Sequence, residues 1–219
     1  SSYSYFGVMT LPHEAPVTAQ VSTARPTRPR HGFRVRAPGR RSRLVPTSRH
    51  HLHHNTGLAM SDPQSLFLID GSNQMYRAYH AIRGLTGPDG RSTNAVYGFV
   101  TMLRKLIDDH RPAYIAASFD LPSATFRDQI SADYKANRAP MPSDLAEQIP
   151  WVHEACEAMG VPILTSERYE ADDVIGTLAR RAAEAGFHVG IVTGDKDFFQ
   201  LVNGAIRVYN PKDDGTWFD

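Results

Sequence analysis

Three short apolar runs each close on an aspartate, with stretches of helical hydrophobic period between them. Leu66-Phe67-Leu68-Ile69 ends at Asp70-Gly71, Tyr114-Ile115-Ala116-Ala117-Ser118-Phe119 ends at Asp120, and Val189-Gly190-Ile191-Val192 leads into Thr193-Gly194-Asp195. Short apolar runs bounded by turn signals read as strands buried on both faces. Val161-Pro162-Ile163-Leu164 and Ile206-Arg207-Val208-Tyr209 read as two more, the first irregular or at an edge because of its proline. The intervening helices are one over 75–80 capped by Ser72, one capped by Asn94, one opened by Ser143 and running to about 159, and one over 170–186 stopped by Gly186. In the second, Val96, Phe99, Val100, Leu103, Leu106 and Ile107 keep the helical period. Strands alternating with helices imply an α/β fold: a doubly wound, mostly parallel sheet with helices on both faces.

Composition sets bounds. A chain of 219 residues with 41 % hydrophobic content can bury one good core. The single cysteine, Cys156, rules out an internal disulfide framework and a cysteine-based zinc site, and it falls on an apolar helix face. The lone cysteine fits a reducing compartment, so a cytoplasmic location is expected; no apolar run approaches the ~20 residues of a membrane span. The net charge of +1 conceals two unlike parts. Residues 1–60 hold nine Arg, no Lys and one acid, a net of +8, which leaves −7 for residues 61–219. An acidic folded part with clustered acids favours bound divalent cations over a general phosphate-binding surface.

Residues 1–60 show no sustained hydrophobic period and are rich in Arg, Pro, Ser and His. Such a segment buries too little apolar surface to offset its ordering entropy. Three readings stay open: a disordered basic arm that adds DNA affinity, an organelle transit peptide, or upstream sequence outside the natural protein. The first predicted element lies just after Met60, which favours the third and sets the expected domain at 61–219.

In a doubly wound sheet the working crevice lies beyond the carboxyl ends of the strands. Asp70, Asp120 and Asp195 stand at such ends. Glu170-Ala171-Asp172-Asp173 opens the helix after the third strand, and Asp197 follows Asp195 by two residues. An aspartate at one strand end is also an ordinary cap or turn residue. Three such ends plus two acidic clusters point instead to a shared cation site, and oxygen-only ligands suit Mg²⁺. Residues 121–142 form an insert of low apolar content and high charge. If 126–138 is helical, Arg127, Tyr134 and Arg138 share a stripe with Lys135 beside it. Cations there meet phosphates and the ring stacks on a base; the alternative is a solvated surface helix.

Read in order, Leu68-Ile69-Asp70-Gly71-Ser72, Tyr76-Arg77-Ala78-Tyr79-His80, Thr93-Asn94-Ala95-Val96-Tyr97-Gly98-Phe99, Phe119-Asp120, Tyr134-Lys135-Ala136-Asn137-Arg138, Glu170-Ala171-Asp172-Asp173 and Thr193-Gly194-Asp195-Lys196-Asp197 resemble the 5′-nuclease domain of bacterial DNA polymerase I. That domain belongs to the flap-endonuclease family with its PIN-like fold. The resemblance covers about residues 65–219 and implies a two-metal nuclease that cuts DNA at a 5′ flap, a nick or a free 5′ end. It identifies the insert as the family's helical arch. Asp70, Asp120, Glu170 and Asp172 are then expected to hold one Mg²⁺, and Asp172, Asp195 and Asp197 a second, with Asp173 binding or supporting the second ion and Mn²⁺ able to substitute. Lys135, Arg138 and Arg77 are expected to act on the phosphate, and Arg127, Tyr134 and Arg83 to contact DNA, a surface ion pair being the alternative for Arg83. His80 reads as a packed histidine.

Family members continue beyond this point with further metal-ligand aspartates and a helix–hairpin–helix element. The chain ends at Asp219, so the expectation is a fragment with an incomplete second metal site. A polymerase domain in the same full-length chain and a monomeric state are also expected. A haloacid-dehalogenase-like phosphatase needs a second Asp two residues after the first, where this chain has Ser72. A single-strand ribonuclease of the PIN group and a catalytically silent DNA-structure-binding module are the remaining alternatives.

Overall fold

The computed structural model describes residues 18–20, 64–121, 140–212 and 215–219, all within one compact unit. The expected arch residues Arg127, Tyr134, Lys135 and Arg138 lie outside the described residues, as does most of 1–60. The strands are β1 (Thr18–Gln20), β2 (Ser65–Asp70), β3 (Tyr114–Ser118), β4 (Ile163–Thr165), β5 (His188–Val192), β6 (Ile206–Asn210) and β7 (Thr216–Phe218), in the order β1-β4-β3-β2-β5-β6-β7. The helices are α1 (Gly71–Ala81), α2 (Asn94–His110), α3 (Ser143–Ala146), α4 (Ile149–Ala158) and α5 (Ala171–Glu184), with a 3₁₀ turn at Lys196–Leu201.

β2 is the central strand and is buried along its whole length. Its side chains alternate between two cores, as strand geometry requires. Phe67 and Ile69 join Phe99, Leu103 and Leu106 of α2 and Val152 and Cys156 of α4, while Leu66 and Leu68 join Ile175 and Ala179 of α5. The result is the expected three-layer α/β/α arrangement. β2 pairs in parallel with β3 and β5, and β3–β4 and β5–β6 are also parallel. The chain leaves β2 toward β3 and β4, then returns to lay β5 on the other side. That reversal opens a crevice at the carboxyl ends of the strands.

Two antiparallel edges were not anticipated. β7 pairs with β6, and β1 pairs with β4 through Thr18↔Thr165 and Gln20↔Ile163. Thr18-Ala19-Gln20 has no hydrophobic signature of its own, and its backbone pairing with β4 is what makes it a strand. The single helix expected from 143 to about 159 divides into α3 and α4, with Pro150 near the start of α4. Proline lacks an amide hydrogen to continue a helix but is accommodated in the first turn.

The caps also differ from expectation. Asn94 does not cap its own helix. Its Nδ2 donates to the Tyr79 and Ile82 carbonyls, both at 2.8 Å, and so closes the end of α1. The amides at the start of α2 are taken by the fully buried Gln148, whose Oε1 accepts from Ala95 N (2.9 Å) and Val96 N (3.2 Å). Gln148 Nε2 donates to Asn94 Oδ1 and the Asp144 carbonyl. Helices α1 and α2 then approach closely at Gly98, where a Cβ would stand 2.8 Å from Ala78 Cβ.

Candidate metal centre

Strand register determines which acids meet. Asp70 lies opposite Ser118 on β3, two residues before Asp120, while Ile69 lies opposite Val192 on β5, one residue before Thr193. The ends of three adjacent strands are therefore nearly level. Asp70, not Ser72, caps α1: its Oδ1 accepts from Asn73 N at 3.0 Å. Its Oδ2 accepts from the Thr193 hydroxyl at 2.8 Å, and the same hydroxyl oxygen accepts from Asp195 N at 3.0 Å. One buried threonine thus joins Asp70 to the Asp195 turn. On the other side, Asp120 N donates to Ser72 Oγ (2.9 Å), and Asp120 Oδ1 accepts from Ala171 N (2.9 Å) at the first turn of α5.

The remaining acids surround this line. Glu170 is buried at the start of α5, and its amide donates to Asp173 Oδ2 at 3.1 Å. Asp172 Oδ1 accepts from Asp173 N at 2.7 Å. Asp197 lies in the 3₁₀ turn, where its amide donates to Asp195 Oδ1 at 2.9 Å. Asp70 and Glu170 are buried, Asp173 is half-buried, and Asp120, Asp172, Asp195 and Asp197 are exposed. Among the described residues, no three acidic, histidine or cysteine side chains form a closed ligand set. Several of their oxygens accept from backbone amides.

Electrostatics marks the same spot. The Asp70 carboxyl is raised from 3.8 to about 6, first by burial and then by the charges of Asp120 and Asp195. The bonds from Asn73 N and Thr193 oppose the rise. A buried acid between two others is destabilised as an anion unless a cation joins it.

Arg77 lies across the Asp195 turn. A Cβ at Gly194 would stand 2.5 Å from Arg77 Nη1, and that nitrogen donates to Asn210 Oδ1 at 2.9 Å. Arg83 is exposed just beyond α1. His80 is exposed between the rings of Tyr76 and Tyr79 rather than packed in the core. Beside Asp120 opens a cleft of about 420 Å³ lined in part by Tyr76, Phe119, Ile149 and His153. The reading from sequence missed Ser72, Asn73, Thr193 and Asn210 as parts of this site. For Thr193 a signal exists: a polar residue closing an apolar strand is buried and must find partners.

Residues 65–219 match the family described as 5′-3′ exonuclease, N-terminal resolvase-like domain. The chain belongs to this family. It is 48 % identical over 145 residues to DNA polymerase I of Pseudomonas aeruginosa, covering 66 % of this chain and 16 % of the relative. It is 43 % identical over 151 residues to the 5′-3′ exonuclease of Aquifex aeolicus, covering 69 % of this chain and 52 % of the relative. The chain therefore spans a sixth to about half of these relatives. Among solved structures, T5 5′-exonuclease with bound zinc ions aligns with a TM-score of 0.53 at 18 % identity, over 70 % of this chain and 57 % of that one. The T5 D15 protein co-crystallised with metal ions aligns with a TM-score of 0.52 at 21 % identity, over 66 % and 54 %. The likeness bears out the PIN-like 5′-nuclease fold.

Proposed function

We propose that this chain is the catalytic part of a metal-dependent 5′-3′ exonuclease and 5′-flap endonuclease that hydrolyses DNA phosphodiester bonds. The observation that carries the reading is the joined edge of Asp70, Asp120 and Asp195, at the ends of three adjacent strands and linked through Thr193 and Ser72. Family membership supplies the reaction class. The donor set fits hard divalent ions: it offers only carboxylate oxygens, and among the described residues no cation offsets the buried Asp70. Asp70, Asp120, Glu170 and Asp172 would hold one Mg²⁺, and Asp172, Asp195 and Asp197 a second, with Asp173 supporting them; Mn²⁺ is the expected substitute.

Bound divalent ions supply Lewis-acid activation of a water and neutralise charge on the transferring phosphoryl group. The chain's own residues do the rest. Asp70 and Glu170 keep their carboxylates buried, and the four exposed acids meet solvent. Arg77 brings a guanidinium against the Gly194 turn, where its positive charge can meet a phosphate. Lys135 and Arg138 are assigned to the scissile phosphate and Arg127 and Tyr134 to the entering strand, as cations and a stacking ring suit a single-stranded 5′ end. In the full-length protein a polymerase domain is proposed to follow in the same chain, which acts as a monomer.

The test is cleavage by the full-length protein of a 5′-flap duplex, a nicked duplex and a single-stranded RNA, with Mg²⁺, with Mn²⁺ and with chelator. Cleavage of the DNA substrates from the 5′ side, dependent on either ion, is expected. Cleavage of the RNA alone would replace this reading with a single-strand ribonuclease.

A further inference from the structure

We propose that Ser72 and Asn73 are positioning residues that set Asp120 and Asp195 on either side of Asp70, each adjusting a different part of the cation site. The inference rests on the metal-dependent reading above and goes beyond it in assigning roles to two neutral side chains.

β2 lies between β3 and β5, so the first turn of α1 emerges between the loops that follow those two strands. Asp70 occupies the cap and takes the Asn73 amide. The next two side chains reach in opposite directions. Ser72 Oγ accepts from Asp120 N at 2.9 Å on the β3 side. Asn73 Oδ1 accepts from Gly194 N at 3.0 Å on the β5 side, one residue before Asp195. Gly194 has no side chain to anchor its turn, and a Cβ there would collide with Arg77. Its amide bond to Asn73 therefore helps place the turn, beside the bond from Asp195 N to the Thr193 hydroxyl. Each bond runs to the main chain of an acid or of its neighbour, so each fixes where a carboxylate starts without using any carboxylate oxygen. These two bonds hold the backbone of the acids and add nothing to the hydrogen bonds that their carboxylate oxygens already accept.

Partners that orient metal ligands typically change affinity or activity by about 10–100-fold when removed. Ser72→Ala should weaken divalent-ion binding on the Asp70–Asp120 side, and Asn73→Ala on the Asp195 side. Ser72→Thr keeps the hydroxyl and should restore binding. The experiment uses the full-length protein. Mn²⁺ binding is measured by titration calorimetry without DNA, urea midpoints are measured in chelator, and single-turnover 5′-flap cleavage is followed across a Mg²⁺ titration. The expected result is a rise in the ion concentration needed by either alanine variant of about 10-fold or more. The rate at saturating Mg²⁺ should approach that of the wild type, and Ser72→Thr should behave as the wild type. Wild-type ion dependence in both alanine variants would overturn the proposal, as would a rate loss that tracks the urea midpoint and is unmoved by Mg²⁺. A wild-type protein that neither binds Mn²⁺ nor cleaves would instead overturn the nuclease reading itself.

Discussion

Asp70→Asn should make the ion-free protein more stable above neutral pH while removing its activity. The Asp70 carboxyl titrates at about 6 rather than its ordinary 3.8, chiefly because it is buried. A folded-state pKa above the unfolded one means that the folded protein binds the proton more tightly. Asp70 therefore costs nothing below the unfolded value, and its ionisation destabilises the fold progressively as pH rises through about 6. At about 1.4 kcal/mol per pH unit of displacement, the full cost is about 3 kcal/mol. Asparagine keeps an oxygen for the Asn73 amide but turns an N–H toward Thr193, whose hydroxyl loses its acceptor; that costs roughly 1 kcal/mol at every pH. The variant should thus be about 1 kcal/mol less stable than the wild type near pH 4 and about 2 kcal/mol more stable near pH 8. Urea unfolding in chelator, followed by circular dichroism at intervals across that range, measures the difference while other titrating groups cancel. A stability difference that stays flat across the range, or that moves against the variant as pH rises, would refute the electrostatic account of Asp70.

Three further outcomes can be checked directly. Gln148→Ala removes a buried side chain that serves two amides of α2, Asn94 and the Asp144 carbonyl, and should lower unfolding free energy by roughly 3 kcal/mol or more in urea titrations. Lys135→Ala and Arg138→Ala should each slow single-turnover flap cleavage by about 10²–10³-fold, a loss that added Mg²⁺ does not repair. Full rescue by Mg²⁺ would assign these residues to ion binding instead. Cys156 is buried and its thiol is pushed up to about 12 by that burial, so a thiol reagent at neutral pH should label it only when the protein unfolds.

Much of the fold can be read along the chain because β2 is apolar on both faces, as a strand covered on both sides must be, and because such runs alternate with helical periods. The same run ends on Asp70, and the strand-end rule places Asp120 and Asp195 beside it. What cannot be read locally is which partner a polar side chain chooses. Asn94 stands where a cap for α2 belongs, yet it bonds back to the end of α1. Gln148 lies far along the chain and takes the α2 amides instead. Ser72 yields the cap of α1 to Asp70 and turns to Asp120 N. Each choice depends on tertiary placement, which no helical period encodes. β1 is hidden for a related reason, since a three-residue strand owes its existence to β4. Asp70, Asp120 and Asp195 stand at or just beyond the ends of three adjacent strands, but backbone amides occupy several of the acids' oxygens and no closed ligand set forms among the described residues.

The shared cation site is tested most directly by anomalous scattering from crystals of the full-length protein soaked in Mn²⁺. Manganese peaks are expected in the crevice at the carboxyl ends of β2, β3 and β5, one within ligand distance of Asp70 and Asp120 and one beside Asp195, with the pair about 4 Å apart. Manganese bound only elsewhere, or none at these carboxylates at concentrations that support cleavage, would contradict it.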